Sequence, residues 1–224
     1  MAELHVLRVF ADGRGAWGNP LGVFLDGDGI AAAERQRAAA ELGFSETVFV
    51  EDRSQGRMRI HTPATELPFA GHPTVGTAWL LAASGAGVEA LRPPAGELPV
   101  RVEDDIAHVT GRPEWSPPLD YRRLERVDEV EALDPAAARE DVYAWAWLDE
   151  DAGTIRARCF APGVGIEEDE ATGSAALALC AELARPIEVR QGQGSLISAR
   201  PGPDGRVEIA GRVVEDERRD FPLG

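Results

Sequence analysis

Apolar and polar positions alternate with two different periods along this chain, and the changes of period mark its elements. "HVLRVFADG" (5–13) and "NPLGVFLDG" (19–27) read as strands ended by turn residues, with "RGAWGNP" as an irregular loop between them. "IAAAERQRAAAELG" (30–43) reads as a helix that stops at Gly43. "ETVFVEDR" (46–53) and "QGRMRIHTP" (55–63) are strands again. "HPTVGTAWLLAASGAG" (72–87) is a helix of small and apolar residues, which predicts burial on all sides.

The second half repeats the theme. "DVYAWAWLDEDAGTIRARCFAP" (141–162) reads as a hairpin turning at "DEDAG", with Trp145 and Trp147 on one strand face as core or interface residues. "ATGSAALALCAELA" (171–184) is another small-residue helix, and residues 187–217 supply three strands with Gly-rich turns. The stretch 92–140, rich in Pro, Asp and Glu, reads as a connection and surface edge.

One echo runs across the chain. "RIHTP" (59–63) precedes Gly71-His72 and an apolar helix, and "RCFAP" (158–162) precedes Gly173-Ser174 and an apolar helix. Each is a strand ended by Pro, a loop, then Gly and a polar residue at a buried helix start. Such self-similarity predicts two related halves of roughly 100 residues each. The expected division is 1–95 and 96–224, with the C-terminal residues packing back on the first half.

Composition narrows the function. The 224 residues carry 39 acidic against 23 basic side chains, a formal net charge of −16, so a phosphate backbone would be repelled and nucleic acid is not the expected partner. Every basic residue is Arg; the absence of lysine excludes a Schiff-base lysine and a phosphate-loop lysine. No stretch approaches the roughly 18 unbroken apolar residues of a membrane helix. The start "MAELHVLRVF" lacks the basic-then-apolar pattern of a signal peptide, so the expected location is cytoplasmic. Cys159 and Cys180 form neither a disulfide framework nor a CxxC motif, and the four histidines lack metal-ligand spacing, so no metal is expected.

The remaining chemistry gathers at the two helix starts. Each leaves N–H groups unpaired and carries partial positive charge, so together they can hold a carboxylate or an enolate without a lysine. Gly71 and Gly173 have no Cβ to block close approach of a ligand, and His72 and Ser174 add side-chain hydrogen bonds. Glu46, where "FSETVFV" enters an apolar strand, is placed for partial desolvation, which raises a carboxyl pKa and suits a proton shuttle. Asp169 stands four residues before Gly173 in "EEDEATGSA".

These segments resemble a known family. "VFADGRGAWGNPLGVFLDG", "SETVFV", "HTPATELPFAGHPTVGTA" and "EDEATGSA" occur in the order found in phenazine-biosynthesis isomerase-like (PhzF-like) proteins of the diaminopimelate-epimerase-like superfamily. The resemblance implies an α+β fold of two similar halves, each a curved antiparallel sheet or barrel wrapped around a central helix, with the ligand between them. It implies Glu46 as the acid/base, with His72 and Asp169 lining the site and Gly71, Gly173 and Ser174 binding the substrate. It implies a small anionic substrate, proton transfer between carbons, no cofactor, and a homodimer. Glu170 stands where the family usually has Pro, and the second half is short. The superfamily's racemases and epimerases use one thiol at each helix start; here Gly71-His72 and Gly173-Ser174 fill those places, which disfavours that chemistry. A binding protein that kept the cleft without catalysis is the alternative.

Overall fold

The computed structural model describes residues 1–223 and carries fifteen strands and four helices in chain order. Strand β1 (Ala2–Ala11) pairs antiparallel with β2 (Asn19–Phe24), and helix α1 (Ala32–Leu42) crosses over to β3 (Glu46–Asp52), parallel to β2. The hairpin partner β4 (Arg57–His61), the short return strand β5 (Glu66–Leu67) and helix α2 (Gly71–Ala83) follow. Then come β6 (Ala90–Leu91), β7 (Leu98–Glu103) and β8 (Ile106–Gly111), antiparallel in succession.

The second half copies this order. Strand β9 (Asp120–Arg123), helix α3 (Val127–Glu131) and β10 (Val142–Asp149) form another parallel crossover, followed by β11 (Thr154–Ala161), the return strand β12 (Ile166–Asp169) and helix α4 (Gly173–Leu183). Strands β13 (Ile187–Gln191), β14 (Ser195–Pro201) and β15 (Val207–Phe221) complete it. The sheets are mixed rather than purely antiparallel. A helix lies in the connection of each of the three parallel pairs, β2/β3, β9/β10 and β11/β13, as a parallel connection requires.

Each central helix is apolar on every side, so each must be surrounded. Ten of the thirteen residues of α2 are buried. The sheet β6–β7–β8–β15–β1–β2–β3–β4 curls around it, and a parallel bridge from Arg57 to Arg92 joins the two ends. Helix α4 packs on β14 and β15. Fully buried Leu81 in α2 shows what that packing is worth: truncation to Ala would cost about 2–5 kcal/mol.

The stretch 92–140 is more than a connection. Leu98, Ala107 and Val109 are fully buried, and β7–β8 closes the wall around α2. Strand β15 serves both halves: its first part pairs with β8 and β14, and its later part pairs with β1. At a bulge in β1, Phe10 takes φ +68 and turns its buried ring beneath Gly173 and Gly211.

Candidate active site

The two central helices begin against each other. A Cβ added at Gly71 would stand 2.4 Å from the Ser174 nitrogen and 2.5 Å from the Gly173 carbonyl carbon. One at Gly173 would meet the Gly71 carbonyl carbon and the His72 nitrogen at 3.1 Å. The facing helix takes up the space that each missing side chain leaves. That close approach brings two sets of unpaired N–H groups and two positive helix ends together.

Beside this junction lies a cavity of about 180 Å³, lined by Glu46, Asp169, Ser174 and Cys159 and by apolar residues including Phe69 and Trp115. Glu46 opens β3, immediately after the chain leaves α1 through Gly43 in the left-handed conformation. Its Oε2 is buried without a hydrogen-bond partner. Burial, reinforced by the charge of Asp169 and only partly offset by the Ser45 hydroxyl, raises its pKa to about 8. Glu46 therefore holds its proton at neutral pH.

His72, in the first turn of α2, places Nδ1 3.2 Å from that same Glu46 oxygen. Burial lowers the His72 pKa to about 3, although the Pro20 carbonyl works the other way. The pair is thus a protonated acid beside a neutral imidazole, not a salt bridge. His72 Nε2 is also buried and unpartnered. Buried polar atoms in native proteins are almost always paired; of these two, Glu46 lines the cavity, so its carboxyl keeps bonding capacity there.

Asp169, at the end of β12, is bonded on both oxygens. Asn19 Nδ2 donates to Oδ1 at 2.7 Å and the Thr172 hydroxyl to Oδ2 at 2.6 Å. These bonds favour its ionised form, while burial and the nearby Glu170 and Glu168 charges raise its pKa. A second layer fixes the first: Gln191 Nε2 donates to Thr172 Oγ1 at 2.8 Å and to the Asp169 carbonyl at 2.9 Å, and the Tyr143 hydroxyl donates to Gln191 Oε1 at 3.1 Å.

Asn19 also donates to the Ala171 carbonyl at 3.0 Å and accepts from Ser45 at 3.3 Å, so one amide joins the Glu46 loop to the Asp169 loop. Sequence reasoning missed both amides. Asn19 before Pro20 reads as a turn residue. Gln191 had a signal: in "IEVRQ" it occupies an inward position with Ile187 and Val189, where a polar residue calls for a buried partner.

Other charged residues are committed elsewhere. Arg59 pairs with Glu51 and Glu66, and Arg158 with Glu168, so neither supplies a cation to the cavity. Glu170 accepts from the Gln193 amide and the Ser195 hydroxyl and braces the 192–195 turn. Among the described residues no cluster of His, Cys, Asp and Glu has a metal-binding arrangement. Among the described residues no helix is long and apolar enough to cross a membrane.

A family model described as "Phenazine biosynthesis-like protein" matches residues 7–141 and 124–219. The trans-2,3-dihydro-3-hydroxyanthranilate isomerase of Pseudomonas fluorescens is 32% identical over 248 aligned positions, covering 88% of this chain and 88% of the relative. Among solved structures, a phenazine-biosynthesis protein from Bacillus anthracis superposes with a TM-score of 0.80 at 20% identity over 99% of both chains. A hydroxyproline epimerase from Agrobacterium vitis reaches 0.65 at 13% identity over 100% of this chain and 94% of its own. The last two establish the fold: two wrapped halves shared with epimerases.

Proposed function

We propose that this chain, which belongs to the phenazine biosynthesis-like family, is an isomerase that moves a proton between carbons of a small carboxylate-bearing molecule, with Glu46 as the acid/base. The observation that carries the reading is Glu46 itself: a buried carboxyl with one free oxygen and a raised pKa, in a cavity beside two helix starts.

In this mechanism the substrate carboxylate lies against the N–H groups at the starts of α2 and α4, near Gly71, Gly173 and Ser174. The ionised fraction of Glu46 takes a proton from carbon, and the negative charge spreads toward the substrate carboxylate, where the helix ends stabilise it. The resulting carboxylic acid exchanges its proton with water and then delivers one to a second carbon on the same face. Asp169 stays ionised, and its charge makes Glu46 a stronger base. His72, neutral, offers hydrogen bonds without adding charge. Every step uses protein groups only, so the reading is of a cofactor-independent enzyme.

The test is a reaction in deuterated water, with trans-2,3-dihydro-3-hydroxyanthranilate as the first compound offered because a relative is named for it. Isomerised product carrying carbon-bound deuterium with the wild type, and none with Glu46→Gln, is the expected result. Wild-type turnover by Glu46→Gln would remove the role given to Glu46. The family resemblance also supports a homodimer in the cytoplasm; sedimentation velocity and fractionation of cells would check both.

A further inference from the structure

One wall of the cavity comes from a part of the chain that carries no motif. Trp115, Pro117, Pro118 and Leu119 line it together with Glu46 and Asp169. The Trp115 ring packs on Phe69 with centroids 5.9 Å apart at 59°, just ahead of α2. The next residue, Ser116, donates its hydroxyl to the Ser174 carbonyl at 2.9 Å, in the first turn of α4. A single short segment is therefore fastened to the starts of both central helices.

That segment cannot easily give way. Pro113, Pro117 and Pro118 lock their own φ angles. The Trp115 amide closes a turn onto the Arg112 carbonyl at 3.1 Å. Against the indole lies Gly96, at φ +141, where even a Cβ would come within 3.1 Å of Trp115 Cζ2. Gly96 is itself tied by its amide to the Pro93 carbonyl. On that side the indole has no room to retreat.

Volume then sets a limit. The cavity measures about 180 Å³, and an apolar protein cavity of about 150 Å³ accepts one benzene ring. One six-membered ring with its carboxylate matches that volume, and a second fused ring would press on the Trp115 wall. We propose that Trp115 is a specificity-determining residue that restricts the substrate to a single ring, or an acyclic carboxylate of equal bulk. The proposal rests on the reading of this cavity as the substrate site.

Calorimetric titration of the whole protein with benzoate and 2-naphthoate tests it. The wild type should bind benzoate and bind 2-naphthoate at least about tenfold more weakly, the scale on which an apolar wall rejects added carbon. Trp115→Ala should recover that factor for 2-naphthoate and change benzoate little. Trp115→Phe should shift the ratio less in the same direction, and serves if the alanine variant fails to fold. Equal affinities in the wild type, no binding of either acid, or an unchanged ratio in the folded variants would overturn the proposal. Proton transfer is tested apart from this. Glu46→Gln should keep the wild-type size preference, so loss of the preference and loss of the Glu46 role are separate outcomes.

Discussion

The starts of α2 and α4 touch, yet the groups around them are bonded in opposite ways. Beside α2, Glu46 Oε2 and His72 Nε2 are buried without partners. Beside α4, Asp169 has donors on both oxygens, and Thr172, Gln191 and Tyr143 back it in series. An unpaired buried polar group costs about 1–3 kcal/mol, so the fold bears that cost at one helix start and avoids it at the other. On the function proposed above, the first half leaves Glu46 open to a substrate and the second half fixes the charge that tunes it. A duplicated scaffold has become chemically asymmetric.

The largest effect should come from the open side. Glu46→Gln should lose roughly 10²–10⁴ in rate, the range of one positioned acid/base, measured as deuterium incorporation under saturating substrate. The same variant should gain in pH tolerance. Between the ordinary carboxyl range near 4.5 and the raised value of about 8, native Glu46 holds a proton that the unfolded chain releases. Its contribution to stability is therefore complete below that window and lost as pH rises through it. Melting temperatures followed from about pH 5 to pH 8 should fall less for Glu46→Gln than for the wild type.

Next come the two glycines at the junction. Gly71→Ala forces a methyl into the backbone of Gly173 and Ser174, whereas Gly173→Ala first meets the Phe10 ring at 3.0 Å. Overpacking costs about 1–3 kcal/mol, and Gly71→Ala should lie at or beyond the top of that range with Gly173→Ala below it, read from urea midpoints. The reverse order would mean that the helix starts do not meet as described.

The smallest effect tests the braced side. Asp169→Asn removes a negative charge that raises the Glu46 pKa, so the rising limb of kcat/KM against pH should move to lower pH. An unmoved limb would show that Asp169 does not tune Glu46.

Much of this was legible in the chain. The paired patterns "RIHTP" and "RCFAP" predict the duplication, and the structure extends it to the crossovers through α1 and α3 and the return strands β5 and β12. Glu46, His72 and Asp169 come together around the two helix starts, with Gly71, Gly173 and Ser174 forming the junction itself. What escaped depended on partners distant in sequence. The strands β7 and β8 flank the acidic turn at Asp104-Asp105, and only their contact with α2 shows them to be wall rather than connection. The double pairing of β15 is invisible to periodicity, because an alternating strand looks the same whichever neighbour it meets. Asn19 declares itself only when Asp169, 150 residues away, is seen to need a donor.

The central claim is that a buried glutamic acid stands ready to carry a proton, and its own titration tests this without any substrate. Carbon-13 NMR of glutamate side chains in the wild type should show one carboxyl titrating near pH 8 that is missing from Glu46→Gln. If every glutamate carboxyl ionises in the ordinary range near 4.5, Glu46 is not the shielded acid described and the account fails.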